Sequence, residues 1–144
     1  MIEVSMVPTQ YVDTCWAKIA PFLERAAYYT YGRYTVDDIY DSIKDYNYQL
    51  WVAYDDGVFV GAVVTDFINY PKRKVLCMHF CGGVELKNWK DPMLELLQRF
   101  ARDTNCESIE ATARRGWSKV FQHDGYKSNW VTFELPIEGA NYGQ

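Results

Sequence analysis

The sequence predicts an α/β (α+β) single domain whose elements follow one another as β-α-α-β-β-β-α-β-α-β. Three observations carry this. A chain of 144 residues, 49% hydrophobic and 24% charged, fits one domain with one core. Alternating apolar runs flank Asp56-Gly57, the strongest short hairpin signal in the chain. Segments of helical period lie on both sides of that hairpin.

In chain order, Ile2 to Val7, "IEVSMV", alternates and stops at Pro8, which predicts a first strand. Thr9 is placed to cap a helix running to Tyr28, with Trp16, Ile19, Phe22 and Leu23 at helical spacing and Pro21 expected to kink or divide it. Thr35-Val-Asp-Asp38 reads as a capping box opening a second helix, with Val36, Ile39, Tyr40 and Ile43 on one face. "YQLWVAY" and "VFVGAVVTDFINY" form the hairpin around Asp56-Gly57, and Pro71-Lys-Arg turns the chain into "KVLCMHFC", giving a three-stranded antiparallel meander. Asp91-Pro92, an acceptor followed by a proline suited to a first helical position, predicts the start of a third helix with Met93, Leu96, Leu97 and Phe100 as its buried stripe. "SIEATA" is a further strand, "WSKVFQH" a short helix and "SNWVTFELP" a last strand. No repeat or low-complexity segment interrupts residues 1–137, and only 138–144, "EGANYGQ", is expected to be disordered.

Composition excludes several classes of function. A net charge of −4 argues against non-specific attraction to nucleic acid, which needs a concentrated positive surface; "YPKRK" at Tyr70 to Lys74 reads as a solvated turn. The longest apolar stretch, Val58 to Val64, is interrupted by Gly61 and falls far below the roughly 18 residues of a spanning helix, while "MIEVSM" lacks the basic start of a secretory leader. The expectation is a soluble, cytoplasmic protein, or one of a particle assembled in the cytoplasm, without a membrane partner. Cys15, Cys77, Cys81 and Cys106 are scattered in apolar context and are expected as reduced thiols. The chain has twelve Tyr and five Trp, and the tyrosines crowd the N-terminal half, in "AYYTYGRYT" and "DYNYQLWVAY", which suits either amphipathic packing or a surface for a protein partner. No nucleophile elbow, Walker loop or dinucleotide fingerprint is present.

The element order, together with "CESIEATARRGWSKVFQHDGYK", resembles the GNAT superfamily of acyl-CoA-dependent N-acyltransferases. The likeness spans Ile2 to about Leu135 and rests on the strand-loop-helix at Val75 to Phe100 and the strand-helix-Gly-Tyr ending at Tyr126. "GRYT", "LWVA", "YPKRK", "GG" and "RRGW" together are also similar to small GNAT-like proteins of tailed bacteriophages, for which the compartment would be the host cytoplasm or the virion. The resemblance implies a central, mostly antiparallel mixed sheet with helices on both faces. It implies acetyl-CoA in a crevice between splayed fourth and fifth strands, and a small-molecule or protein amine as acceptor. Its pantetheine arm would pair with the fourth strand and its pyrophosphate would sit on the loop before the third helix, which assigns Cys81, Gly82, Gly83, Lys87 and Lys90 to the cofactor. Arg114 and Arg115, with Lys119, cluster at the end of the fifth strand, where they would hold a phosphate or simply solvate a helix start. The sequence departs from the family pattern in two places: "VELKNWKDP" follows the glycines in place of a glycine-rich phosphate motif, and Phe121 stands where many members have an acidic tyrosine.

His79 is the candidate general base, since an imidazole accepts a proton from an amine near neutral pH, with Asp66 and Glu110 on neighbouring strands to orient it or share the role. The alternative is a histidine that fills space. Cys77, His79 and Cys81 alternate along one strand, and their outer Cα atoms lie roughly 13 Å apart by strand rise, so those three cannot converge on one ion, and no metal site is expected in the chain. The enzyme reading requires an open crevice between Cys77 to Gly82 and Ser108 to Ala113; Trp89, Trp117 or Phe121 filling it argues for a shell without catalysis.

Overall fold

The computed structural model describes residues 1–113, 115–128 and 130–139, with Arg115 and Ser118 as backbone alone. Arg114 and residues 140–144 of the expected tail therefore lie outside the described residues. Strands β1 (Ile2–Val7), β2 (Gln49–Asp55), β3 (Val58–Asn69), β4 (Lys74–Gly83) and β5 (Ser108–Ala111) form one sheet in the order β1-β2-β3-β4-β5. Pairing is antiparallel from β1 to β4 and parallel between β4 and β5, so the sheet is mixed and mostly antiparallel.

Local chemistry places the first half. Asp56 (φ 49°) and Gly57 (φ 85°) form the two-residue loop that joins β2 to β3, both in the left-handed region such a tight hairpin demands. Helix α1 (Val12–Tyr28) follows a short 3-10 turn at Thr9–Tyr11 and runs through Pro21 as one helix, its buried stripe of Val12, Cys15, Ile19, Leu23 and Ala27 holding it on the sheet. Helix α2 (Val36–Lys44) opens with the expected capping box: the Asp38 amide donates to Thr35 Oγ1 at 3.3 Å and the Thr35 amide donates to the Asp38 carboxylate at 2.9 Å.

Two layers of core separate on the two faces. Ile19, Leu23, Ile39 and Ile43 from α1 and α2 pack on Leu50, Val52, Ala62, Val64 and Phe80. On the other face Trp89, Met93 and Leu97 of helix α3 (Leu86–Asp103) pack on Trp51, Val60, Val63 and Leu76.

Two expectations fail here. Helix α3 begins at Leu86 rather than at Asp91-Pro92. Burial of Trp89, 1% exposed against Gly61 and Gly83, outweighs the local cap signal, and Pro92 is carried inside the helix. The last strand is absent among the described residues: after helix α4 (Ser118–His123), residues 130–137 form no strand, and Val131, Phe133, Leu135 and Ile137 are 61%, 91%, 84% and 72% exposed. No described helix is long and apolar enough to cross a membrane.

Candidate active site

The site begins at an irregularity in β4. Val64 pairs with Phe80 and Thr65 with Met78, which leaves His79 as the extra residue of a β-bulge. A bulge re-aims side chains, and here it turns His79 onto the α1/α2 face beside Phe80, with the two rings stacked at 5.1 Å. Tyr34 and Tyr48 complete an aromatic collar, their centroids 5.8 and 5.5 Å from the imidazole.

Register supplies the polar partners. Asp66 on β3 is the direct pair of Cys77 on β4, and Cys77 is the direct pair of Glu110 on β5. His79 Nε2 lies 3.6 Å from Asp66 Oδ1, close enough for an ion pair if the ring is protonated and one small adjustment from a hydrogen bond. The structure thus brings His79 and Asp66 together; Glu110 joins the same row one strand further, where its carboxylate accepts a 2.8 Å hydrogen bond from the Tyr70 hydroxyl. Burial raises the Asp66 carboxyl above the ordinary carboxylate range while His79 opposes that rise, and Asp66 Oδ1 is buried with no hydrogen-bond partner. Burial, reinforced by Asp66 and Glu110, pushes the Cys77 thiol up to about 12, and burial likewise pushes the Tyr48 phenol up. Chemically this is a half-enclosed imidazole with a carboxylate behind it, an arrangement suited to accepting a proton.

Next to it the sheet parts. β4 and β5 pair only from Val75–Ser108 to Met78–Ala111, and β4 then runs on to Gly83 with no β5 partner. The slot opens at His79.

The expected cofactor residues are placed as follows. Gly82 and Gly83 end β4 and are demanded by packing: a Cβ on Gly82 would run into the Phe22 carbonyl, and one on Gly83 into the Val60 carbonyl and, at 2.6 Å, the Gly61 Cα. Gly83 also holds φ 152°, a conformation L side chains rarely adopt. Only Val84 and Glu85 separate β4 from α3, so the long phosphate loop expected over Gly82 to Asp91 is not there. Asp91 is consequently no cap; it lies 3.3 Å from Lys90 Nζ. Lys90 is committed further, donating to Asp124 at 2.7 Å and tying α3 to the end of α4. Lys87 lies on the exposed first turn of α3, beside the helix amides. Cys81 faces α3, its thiol pushed up to about 12 by burial. Arg115 contributes only its backbone to the description, within the 3-10 turn Arg115–Trp117.

Between the slot, α3 and α4 lies a cavity of about 40 Å³, lined by Met78, Cys81, Trp89, Trp117, Phe121 and Tyr126 among others. That is room for roughly one water molecule. The three rings named as possible obstructions all line it. The hydroxyl of Tyr126 is buried without a partner, its ring 4.9 Å from Phe121, and burial pushes the phenol up to about 12. Nothing along the chain marks Tyr126, since the family resemblance points to the position of Phe121; the collar of Tyr34 and Tyr48 is equally hidden, because nothing local points those rings at His79. A wider groove of about 820 Å³ runs along β5, which is an edge strand among the described residues.

No protein-family model matches the sequence and no curated protein matches it. Solved structures do resemble it. An aminoglycoside acetyltransferase from an uncultured soil metagenomic sample superposes with a TM-score of 0.72 at 13% identity, covering 96% of this chain and 99% of that one. A ribosomal-protein-alanine N-acetyltransferase from Brucella melitensis biovar Abortus 2308 gives 0.71 at 14%, covering 95% and 100%. An aminoglycoside N-acetyltransferase in complex with CoA gives 0.71 at 10%, covering 96% and 95%. The chain has the GNAT fold of these acetyltransferases; at such identities the likeness extends to the fold alone.

Proposed function

We propose that this protein is an N-acetyltransferase that uses acetyl-CoA and takes a cationic amine as acceptor. The observation that carries the reading is the coincidence of the β4–β5 slot with the His79–Asp66 pair at its mouth. Function resides in the site rather than the fold, so the argument rests on these side chains. His79 accepts the proton the amine must lose, and Asp66 orients the ring. Glu110 and Asp66, with the faces of Tyr34 and Tyr48, suit a positively charged acceptor through charge and cation–π attraction. Such an acceptor is an amino sugar, a polyamine or an exposed protein amine.

Residues fit for the cofactor are the β4 backbone at Cys81 and Gly82, and Lys87 with the first amides of α3. When bound, acetyl-CoA supplies the activated acyl group. The donors suit it; the volume does not. A cavity of about 40 Å³ admits no pantetheine arm, so the reading requires α4 to swing away with release of Lys90 from Asp124. Tyr126, its buried hydroxyl unpaired at that cavity, holds a proton for the leaving side where Phe121 cannot.

Calorimetric titration with acetyl-CoA and with CoA tests the reading, followed by thiol release with an amine panel. Binding, and a His79→Gln variant that binds equally while turnover drops about 10²–10⁴-fold, is the expected pattern. No binding at high micromolar cofactor sinks it. The second reading, a GNAT-shaped binding module of a phage virion or host-interaction complex, is favoured by the small cavity and by Tyr28, Tyr31 and Tyr46, which are 73%, 69% and 76% exposed and fit a protein partner. A pull-down that retrieves a stoichiometric virion or host protein, with no cofactor binding, selects it.

A further inference from the structure

Cys77, His79 and Cys81 do not converge on an ion, yet a different trio does. Asp66, Cys77 and His79 present one ligand atom each, and these atoms all lie within 4.8 Å of one another. The convergence is built by the sheet: Asp66 and Cys77 face each other as a cross-strand pair, and the bulge returns His79 to their side. We propose that these three residues form a binding site for a single thiolate-preferring divalent cation, zinc or cobalt.

The donor set selects the metal class. A thiolate beside an imidazole and a carboxylate favours zinc and its analogues over magnesium or calcium, which want oxygen ligands throughout. Bond lengths of about 2.0–2.3 Å around a tetrahedral ion put donors roughly 3.3–3.6 Å apart. His79 Nε2 and Asp66 Oδ1 already stand at 3.6 Å, and the longest separation needs a contraction of about 1 Å, within the reach of side-chain rotation. One carboxylate and one thiolate balance the charge of a divalent ion, so the pair that is costly to bury alone becomes neutral with it.

A second observation points to a ligand. Asp66 Oδ1 is buried with no hydrogen bond, and the polar atom near it, His79 Nε2 at 3.6 Å, belongs to the same trio. Surrounding groups act as an outer shell. Glu110, paired across from Cys77, is held by Tyr70, and Tyr34, Tyr48 and Phe80 wall the imidazole. Three protein ligands leave a fourth position for water or substrate.

The inference is separate from acyl transfer, and it constrains it: a metal-bound His79 has no lone pair left for an amine proton, so the loaded protein would be the inhibited form. Spectroscopy tests it without an activity assay. Cobalt(II) added to the full-length reduced protein should give one equivalent of tetrahedral visible bands and a near-ultraviolet thiolate charge-transfer band, both lost on adding zinc. Cys77→Ser should abolish the charge-transfer band. His79→Gln and Asp66→Asn should each lower zinc affinity at least tenfold, while Cys106→Ser changes nothing. Far-ultraviolet circular dichroism confirms that each variant is folded. A six-coordinate spectrum without a thiolate band overturns the proposal, as does a band that survives Cys77→Ser. If acetyl-CoA binds and turns over but cobalt shows no thiolate band, the transferase reading stands and the metal site falls.

Discussion

Replacing Gly82 with alanine separates two accounts of the Gly-Gly step at the end of β4. A Cβ there would stand 2.9 Å from the Phe22 carbonyl carbon, closer still to its oxygen, and 3.4 Å from the Phe22 Cβ. Backbone is what it meets, and neither side can yield cheaply: β4 is paired to Ala62 at this residue, and α1 is pinned by Ile19 and Leu23, both 0% exposed. Overpacking of this kind costs about 1–3 kcal/mol. Gly82 is not among the positive-φ residues, so no backbone strain adds to the steric cost, and alanine recovers about 0.5–1 kcal/mol of unfolded-chain entropy. The melting temperature should fall by roughly 2–8 °C for a chain of this size. Thermal unfolding followed by circular dichroism, with and without saturating acetyl-CoA, measures it. An unchanged melting point together with lost cofactor binding would refute the packing account and return the glycine to phosphate recognition.

Thr65 is 0% exposed; its hydroxyl accepts from Trp51 Nε1 and donates to Gln49 Oε1, each at 2.8 Å, so Thr65→Val should cost about 1–3 kcal/mol in urea unfolding, and an unshifted midpoint would show these bonds contribute nothing net. At Asp124, burial raises the carboxyl's pKa, but the ion pairs with Lys90 and His123 outweigh it and bring it below 3.8. A depressed folded pKa gives stability that is present above the unfolded value and lost as pH falls through the folded one, so the stability gap between the native protein and Asp124→Asn should be full at neutral pH, begin to shrink near about pH 4 and close only as pH falls through the lower folded value. A gap independent of pH would contradict the pairing. Phe121→Ala opens the cavity beneath α4, and acetyl-CoA should bind it more tightly in calorimetry than the native protein; weaker binding would mean the ring supports the cofactor rather than bars it.

Local signals in this chain were legible and distant ones were not. Asp56-Gly57 and the Thr35–Asp38 box act within four residues, and both form as read. Asp91-Pro92 carried an equally good local signal and failed, because Trp89 finds its burial against Gly61 and Gly83, residues from two other strands. The same contacts explain the glycines, whose cause lies in Phe22, Val60 and Trp89 rather than in any neighbour along the chain. His79, Asp66 and Glu110 were named from residue type, but their approach depends on strand register and on a bulge that alternation cannot reveal. Tyr126 needed burial and an orphaned hydroxyl to be noticed. The last strand had the right pattern; pattern does not supply a partner edge.

The two halves of the site lie on opposite faces of the sheet. His79, Asp66, Tyr34 and Tyr48 belong to the α1/α2 side, whereas Met78, Cys81, Trp89 and the α4 rings belong to the α3 side. The unpaired stretch of β4 after Met78 is the passage between them. In the transferase reading proposed above, an acceptor from one face and a cofactor from the other would meet through that slot, with α4 over the cofactor side. Asp66 Oδ1 is buried without a hydrogen bond, with His79 Nε2 at 3.6 Å and the Cys77 thiol beside it, and a buried acceptor left without a hydrogen bond costs on the order of 1–3 kcal/mol. The α1/α2 face carries different chemistry in the two proposals: proton transfer in the transferase reading and cation binding in the metal-site reading. Cofactor affinity in Phe121→Ala and the cobalt spectrum of the native protein report on the two faces separately, and together they decide between those uses.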